Sequence, residues 1–98
     1  MFLLHVTTAR TDGTTDKIEL SMSAQLEFEQ IEKVSLIDAV DNKLSQAILL
    51  RLSWLATKQT GTIVPASLDE YAKSVKAVGY EVERVPFGEM AITPTSQP

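Results

Sequence analysis

The stretch Ala47-Ile48-Leu49-Leu50-Arg51-Leu52-Ser53-Trp54-Leu55-Ala56 is apolar nearly all the way round a helix, and it constrains the fold more than any other segment. A helix of that kind is either the centre of a core or shared with a partner. The whole chain has 98 residues. A domain so small buries only about 60–65% of the surface its unfolded chain exposes, so it builds one core and covers such a helix with difficulty. The helix is predicted from about Asn42 to Thr60, with Lys58 in its last turn and Gly61 as the terminating glycine. Leu50, Arg51, Trp54 and Leu55 are the candidate protein-binding residues on it. Tryptophan and arginine are enriched where proteins meet, whereas a core tryptophan beside an arginine that snorkels to water is the competing reading.

A β-hairpin precedes this helix. Phe2–Ala9 and Lys17–Met22 alternate apolar and polar residues around Thr11-Asp12-Gly13-Thr14, and Asp-Gly between alternating runs is a strong hairpin signal. Register decides the loop length, because a one-residue slip moves every side chain to the other face. A two-residue loop sets Val6 against Glu19 and His5 against Leu20. A three-residue loop, Thr11-Asp12-Gly13, instead pairs Val6 with Ile18, Leu4 with Leu20, Phe2 with Met22 and His5 with Glu19. It separates one apolar from one polar face and puts Gly13 where a left-handed residue is needed, so the three-residue loop is expected.

Ser23 is expected to cap a first helix, Ala24 to about Lys33, whose Glu27, Glu29 and Glu32 read as a solvated acidic face. Between 34 and 42, Leu36, Ile37 and Val40 have packing to do, but helical turn and ordered loop both fit. Ser67-Leu68-Asp69-Glu70 is a capping box opening a third helix, 68–78, with Leu68, Tyr71, Ala72, Val75 and Val78 on one stripe and Gly79 ending it. Tyr80–Val85 reads as a short extended segment. From Pro86 the composition turns to Pro, Gly, Thr, Ser and Gln, as in a mobile tail over 86–98. The expected architecture is α+β: a single domain over 1–85 made of an N-terminal antiparallel hairpin (2–22) and about three helices (24–33, 42–60 and 68–78), then the flexible tail.

Composition narrows the function classes. A formal charge of −4 disfavours nucleic acid and anionic membranes, both of which select cationic faces. No cysteine is present, which removes disulfides, thiolate metal sites and cysteine nucleophiles, and favours an intracellular setting. The N-terminus lacks the basic and apolar regions of a signal peptide. The one histidine, His5, is expected in an exposed cross-strand pair, and one histidine without cysteine does not make a standard zinc site. No serine has a partner to activate it, and no glycine loop suits a phosphate. Neither a catalytic site nor a cofactor is expected.

Three segments carry a family resemblance. They are the Glu-rich Leu26-Glu27-Phe28-Glu29, the helix end Leu50-Arg51-Leu52-Ser53-Trp54-Leu55-Ala56-Thr57-Lys58-Gln59-Thr60-Gly61, and Ser67-Leu68-Asp69-Glu70-Tyr71-Ala72-Lys73-Ser74-Val75. In this order after an Asp-Gly hairpin, the chain resembles the tail assembly chaperones of long-tailed bacteriophages over residues 4 to 78. It departs from their pattern at Gln59, where a basic residue is common, and at Tyr71-Ala72, where a bulkier aromatic pair is usual. The resemblance implies a non-catalytic protein of the host cytoplasm, likened to a homo-oligomer. Its implied partners are the tape-measure protein, which it keeps soluble, and the major tail protein, which it recruits. It also implies a longer form made by frameshifting near the end of the gene. A structural virion protein, such as a head–tail connector or tail-completion protein, is the alternative, and a small enzyme or regulator the third class.

Overall fold

A computed structural model describes residues 2–42 and 44–84. Seven elements follow one another: β1 (Phe2–Arg10), β2 (Thr15–Glu19), α1 (Met22–Glu32), α2 (Leu36–Asp41), α3 (Gln46–Gln59), α4 (Leu68–Ala72) and β3 (Val75–Arg84). The strands form one antiparallel sheet in the order β2-β1-β3, so the first strand of the chain lies in the middle.

The hairpin has the expected register, with His5 opposite Glu19 and Val6 opposite Ile18. Its loop is Thr11-Asp12-Gly13, closed by Arg10 N–H donating to the Thr14 carbonyl at 2.8 Å and Gly13 N–H to the Arg10 carbonyl at 3.1 Å. Gly13 stands at φ +93°, a conformation that costs a side-chain-bearing residue about 1 kcal/mol or more. The Asp12 carboxylate accepts from the backbone N–H and the hydroxyl of Thr14, and these bonds hold its pKa below the ordinary value.

The end of the hairpin differs from expectation. Leu20 N–H still donates to the Leu4 carbonyl, but Ser21, not Ser23, then caps α1, its hydroxyl accepting from Ala24 N–H at 3.1 Å. Met22 is therefore the first residue of a helix and does not face Phe2, which pairs with Arg84 instead. Lys33 ends α1 in the left-handed region at φ 61°. The undecided segment after it is helical: Ser35 caps α2, and Glu29 reaches across from α1 to accept from Leu36 N–H at 2.8 Å. The predicted helix 42–60 opens later, at Gln46, because Ser45 accepts from Ile48 N–H and starts a new helix there.

The largest correction concerns residues 68–78. Ser67 does accept from Glu70 N–H, but α4 stops at Ala72, where Ser74 turns its hydroxyl back onto the Tyr71 carbonyl. Val75 and Val78, expected on the helix, belong to β3, which pairs with β1 from Phe2↔Arg84 to Arg10↔Val75. Sheet pairing wins because from Val78 the sequence also alternates, Val78-Gly79-Tyr80-Glu81-Val82, and β-branched residues suit a strand. Gly79 lies inside that strand and terminates nothing. The α+β class stands, with a three-stranded sheet in place of a lone hairpin. The expected tail, 86–98, lies outside the described residues.

One layer of helices covers one face of the sheet. Leu4, Val6 and Leu20 from the sheet side meet Ala24 and Phe28 of α1, Leu36 of α2, Tyr71 of α4, and Leu52, Trp54, Leu55 and Ala56 of α3 in a single buried cluster. No helix among the described residues is long and apolar enough to cross a membrane.

Candidate functional site

The apolar helix α3 is the hub of this core, and the protein surrounds its C-terminal half. Every residue from Leu52 to Thr57 is buried. Helical spacing divides these residues into three rows. Leu52, Leu55 and Ala56 make the aliphatic row, each at most 1% exposed.

Ser53 and Thr57, one turn apart, make a hydroxyl row. Ser53 Oγ lies 2.6 Å from Thr8 Oγ1 and 2.8 Å from Tyr71 Oη. Tyr71 Oη is also 2.9 Å from Thr57 Oγ1, which accepts from the Arg10 guanidinium at 2.9 Å. Arg10 in turn pairs with Asp16. Burial works against the guanidinium charge, but the hydrogen bond and charge of Asp16, with Tyr71 behind, outweigh it and raise its pKa. Since Arg10 only donates, Thr57 is free to turn its own proton toward Tyr71, and Tyr71 toward Ser53. The network joins β1, β2, α3 and α4 and gives each buried hydroxyl a partner. Its hydroxyls are buried and only the Arg10–Asp16 end reaches solvent, and among the described residues no histidine or carboxylate lies against Ser53 to serve as a base.

The third row surrounds the indole. Trp54 is 9% exposed, and its Nε1–H donates to the Pro65 carbonyl at 2.7 Å. Arg51 and Lys58, a turn to either side, lie over the ring at 5.1 and 4.9 Å from its centroid, a favourable geometry for cations on a π face. Each is held by a glutamate of α1: Arg51 Nε to Glu32 at 3.2 Å, and Lys58 Nζ to Glu27 at 2.8 Å. The glutamates expected to form a solvated acidic face therefore lace α1 antiparallel onto α3, and Glu29 caps α2.

The four candidate binding residues thus fall at different depths. Leu55 is 1% exposed and belongs to the core, Trp54 is committed to Pro65 and its two cations, Arg51 is engaged with Glu32, and Leu50 is half-buried against the core. Exposed apolar side chains lie next door instead. Ile31 at the end of α1, Val34 in the connection and Ile37 in the first turn of α2 are each about 40% exposed. Val34 also lines an open groove of about 250 Å³, with Asp38, Ala39, Asn42 and Ile48. Ile37, expected to pack with Leu36 and Val40, is exposed instead, because once the segment is helical Leu36, Ala39 and Val40 take its inner stripe.

A second cleft, about 330 Å³, lies between the start of α1 and the end of α3, lined by Ser21, Ser23, Ala24, Glu27, Leu55, Lys58 and Gln59. Most of its polar groups are already committed, Gln59 bridging Ser21 N–H and the Glu19 carbonyl and Lys58 pairing with Glu27. His5 sits in the cross-strand position opposite Glu19, with Nε2 3.5 Å from Glu83. Among the described residues no three His, Asp or Glu side chains converge as metal ligands would. The chain matches no family model, no curated protein and no solved structure with which it was compared.

Proposed function

We propose that this protein is a non-catalytic tail assembly chaperone of a long-tailed bacteriophage, acting in the host cytoplasm to hold the tape-measure protein and recruit tail-tube subunits. The observation that carries the reading is the open groove between the α1–α2 connection, α2 and α3, lined by Val34, Asp38, Ala39, Asn42 and Ile48, with the exposed Ile31 and Ile37 close by in the chain. A small acidic domain that leaves such side chains in water has a surface suited to an apolar helix of a client, while its charge keeps it soluble. The resemblance of residues 4–78 supplies the identity of the client. From α3 only Ile48 reaches the groove, while Leu50, Arg51, Trp54 and Leu55 are engaged with the core or with α1.

The test is co-expression with tape-measure fragments, scored by how much fragment stays soluble and co-purifies. Ile37→Asp and Val34→Asp, at exposed positions, are expected to release the fragment and leave the circular dichroism spectrum and melting unchanged. Fragments that are equally soluble with either variant, or without the protein at all, would refute the proposal. Purified virions separate the alternative, since a head–tail connector or completion protein is present there at fixed copy number and a chaperone is absent.

A further inference from the structure

We infer that β3 is a self-pairing edge, and that two copies of this chain join through it into one continuous antiparallel sheet. The inference is independent of which client the groove accepts.

The hydrogen-bond alternation shows which backbone groups of β3 are uncommitted. Leu20 N–H donates to the Leu4 carbonyl and Arg10 N–H to the Thr14 carbonyl, so the even-numbered residues of β1 turn their backbone groups toward β2. Its odd-numbered residues then turn theirs toward β3, where Leu3, His5 and Thr7 face Glu83, Glu81 and Gly79. Val78, Tyr80 and Val82 consequently direct both N–H and C=O away from β1. Among the described residues no strand pairs with that side.

Exposed edges are ordinarily blunted by brevity, charged side chains, proline, a bulge or an inward charge, and β3 carries its charges, Lys76, Glu81, Glu83 and Arg84, outside the Val78-Gly79-Tyr80 centre. The opposite edge, β2, is only five residues long. β3 runs for ten residues without proline. Its one irregularity sits at Lys76, where Ala9 faces Ala77 but Arg10 faces Val75, and so guards only the start of the strand.

The residue pattern selects a second copy as the occupant. About a two-fold axis through Tyr80, each Tyr80 meets its counterpart, and each Val78 meets Val82 of the other copy. All three outward residues of both strands are then hydrogen-bonded, beneath an apolar row whose two ends set Lys76, at the bulge, opposite Arg84 of the other copy. On the other face Glu81 meets Gly79 and Glu83 meets Ala77, so each carboxylate finds a small neighbour rather than its like. A side chain added at Gly79 would meet nothing within 4 Å, which leaves room for that glutamate, and Lys17 already neutralises Glu81 at 2.7 Å. Moving the axis to Glu81 sets two carboxylates opposite each other at the centre of the pairing, where no fraying relieves them. Moving it to Gly79 sets Val82 against the bulge. One register uses the whole edge.

The absence of cysteine makes the test direct. Facing Tyr80 residues would have Cα atoms about 5.5 Å apart, within disulfide reach. Wild-type protein is expected to sediment as a dimer. Tyr80→Cys should give a disulfide-linked dimer under mild oxidation, and Thr15→Cys, exposed on the other edge strand, should not. Tyr80→Lys, which opposes two charges without any demand on the backbone, should yield a folded monomer, and Tyr80→Pro should do so by deleting an outward N–H. A wild type that is monomeric at every concentration would overturn the inference. So would a Tyr80→Lys variant that remains dimeric, or equal cross-linking from both cysteines.

Discussion

Two rows of the same helix are equally buried and do different work. Leu52, Leu55 and Ala56 fill the core with aliphatic volume, while Ser53 and Thr57, beside them, meet Thr8, Arg10 and Tyr71 through hydroxyls. The aliphatic row supplies driving force but little direction, since dispersion and the hydrophobic effect are tolerant of small rotations. The hydroxyl row supplies direction, because each of its contacts has a narrow range of length and angle. It ties the short α4, which has only five residues, to a helix and a strand that come much earlier in the chain. A small domain thereby places its last elements through hydrogen bonds as well as through packing.

Truncating each row tests this division. Leu52→Ala removes a fully buried side chain and is expected to cost the most, about 2–5 kcal/mol, read as a loss of unfolding free energy in urea. A cost as small as that of a surface substitution would show that the aliphatic row is not the main source of stability. Tyr71→Phe keeps the ring and deletes only the hydroxyl between Ser53 and Thr57, at an expected cost of about 1–3 kcal/mol. Its distinctive consequence should be local: faster amide exchange across α4 and β3, with the exchange of α1 nearly unchanged. Uniform acceleration throughout the chain would mean that the network stabilises without directing.

The smallest effect belongs to an exposed polar contact, and it calibrates the buried ones. The bonds from Thr14 hold the Asp12 carboxyl below its ordinary pKa. A carboxylate lowered in the folded state stabilises it fully above the unfolded-state pKa and loses that contribution as pH falls through the lowered value. Urea midpoints of the wild type should therefore fall as acid is added below the ordinary carboxylate range, and Asp12→Asn should flatten that limb slightly. A steep acid limb unchanged by Asp12→Asn would assign it to other carboxylates.

Much of the first half of the fold was legible in local sequence. The three-residue loop and its register followed from alternation on both sides of Asp12-Gly13, because only one offset keeps Leu4, Val6, Ile18 and Leu20 on one face. Gly61, at φ +89° with its N–H on the Lys58 carbonyl, ends α3 as its sequence position implied. The second half was ambiguous. Tyr71, Val75 and Val78 satisfy a helical stripe, and Val78, Tyr80 and Val82 satisfy a strand. The candidate binding residues do lie together on one helix, α3, but local sequence did not show how deeply each one is buried.

By itself, then, the sequence determined the hairpin, the core helix and the acidic, cysteine-free character, since each depends on neighbours a few residues apart. Tertiary structure decided three things. It made Val75–Arg84 a strand, because β1 offers that segment a central partner along its whole length. It turned the α1 glutamates from solvated charges into partners of Arg51 and Lys58. It also covered the C-terminal half of the apolar helix, whose rows are met by the sheet, α1 and α4, elements from both ends of the chain. No local pattern encodes such contacts, because they form between residues distant in sequence and only once the core has closed.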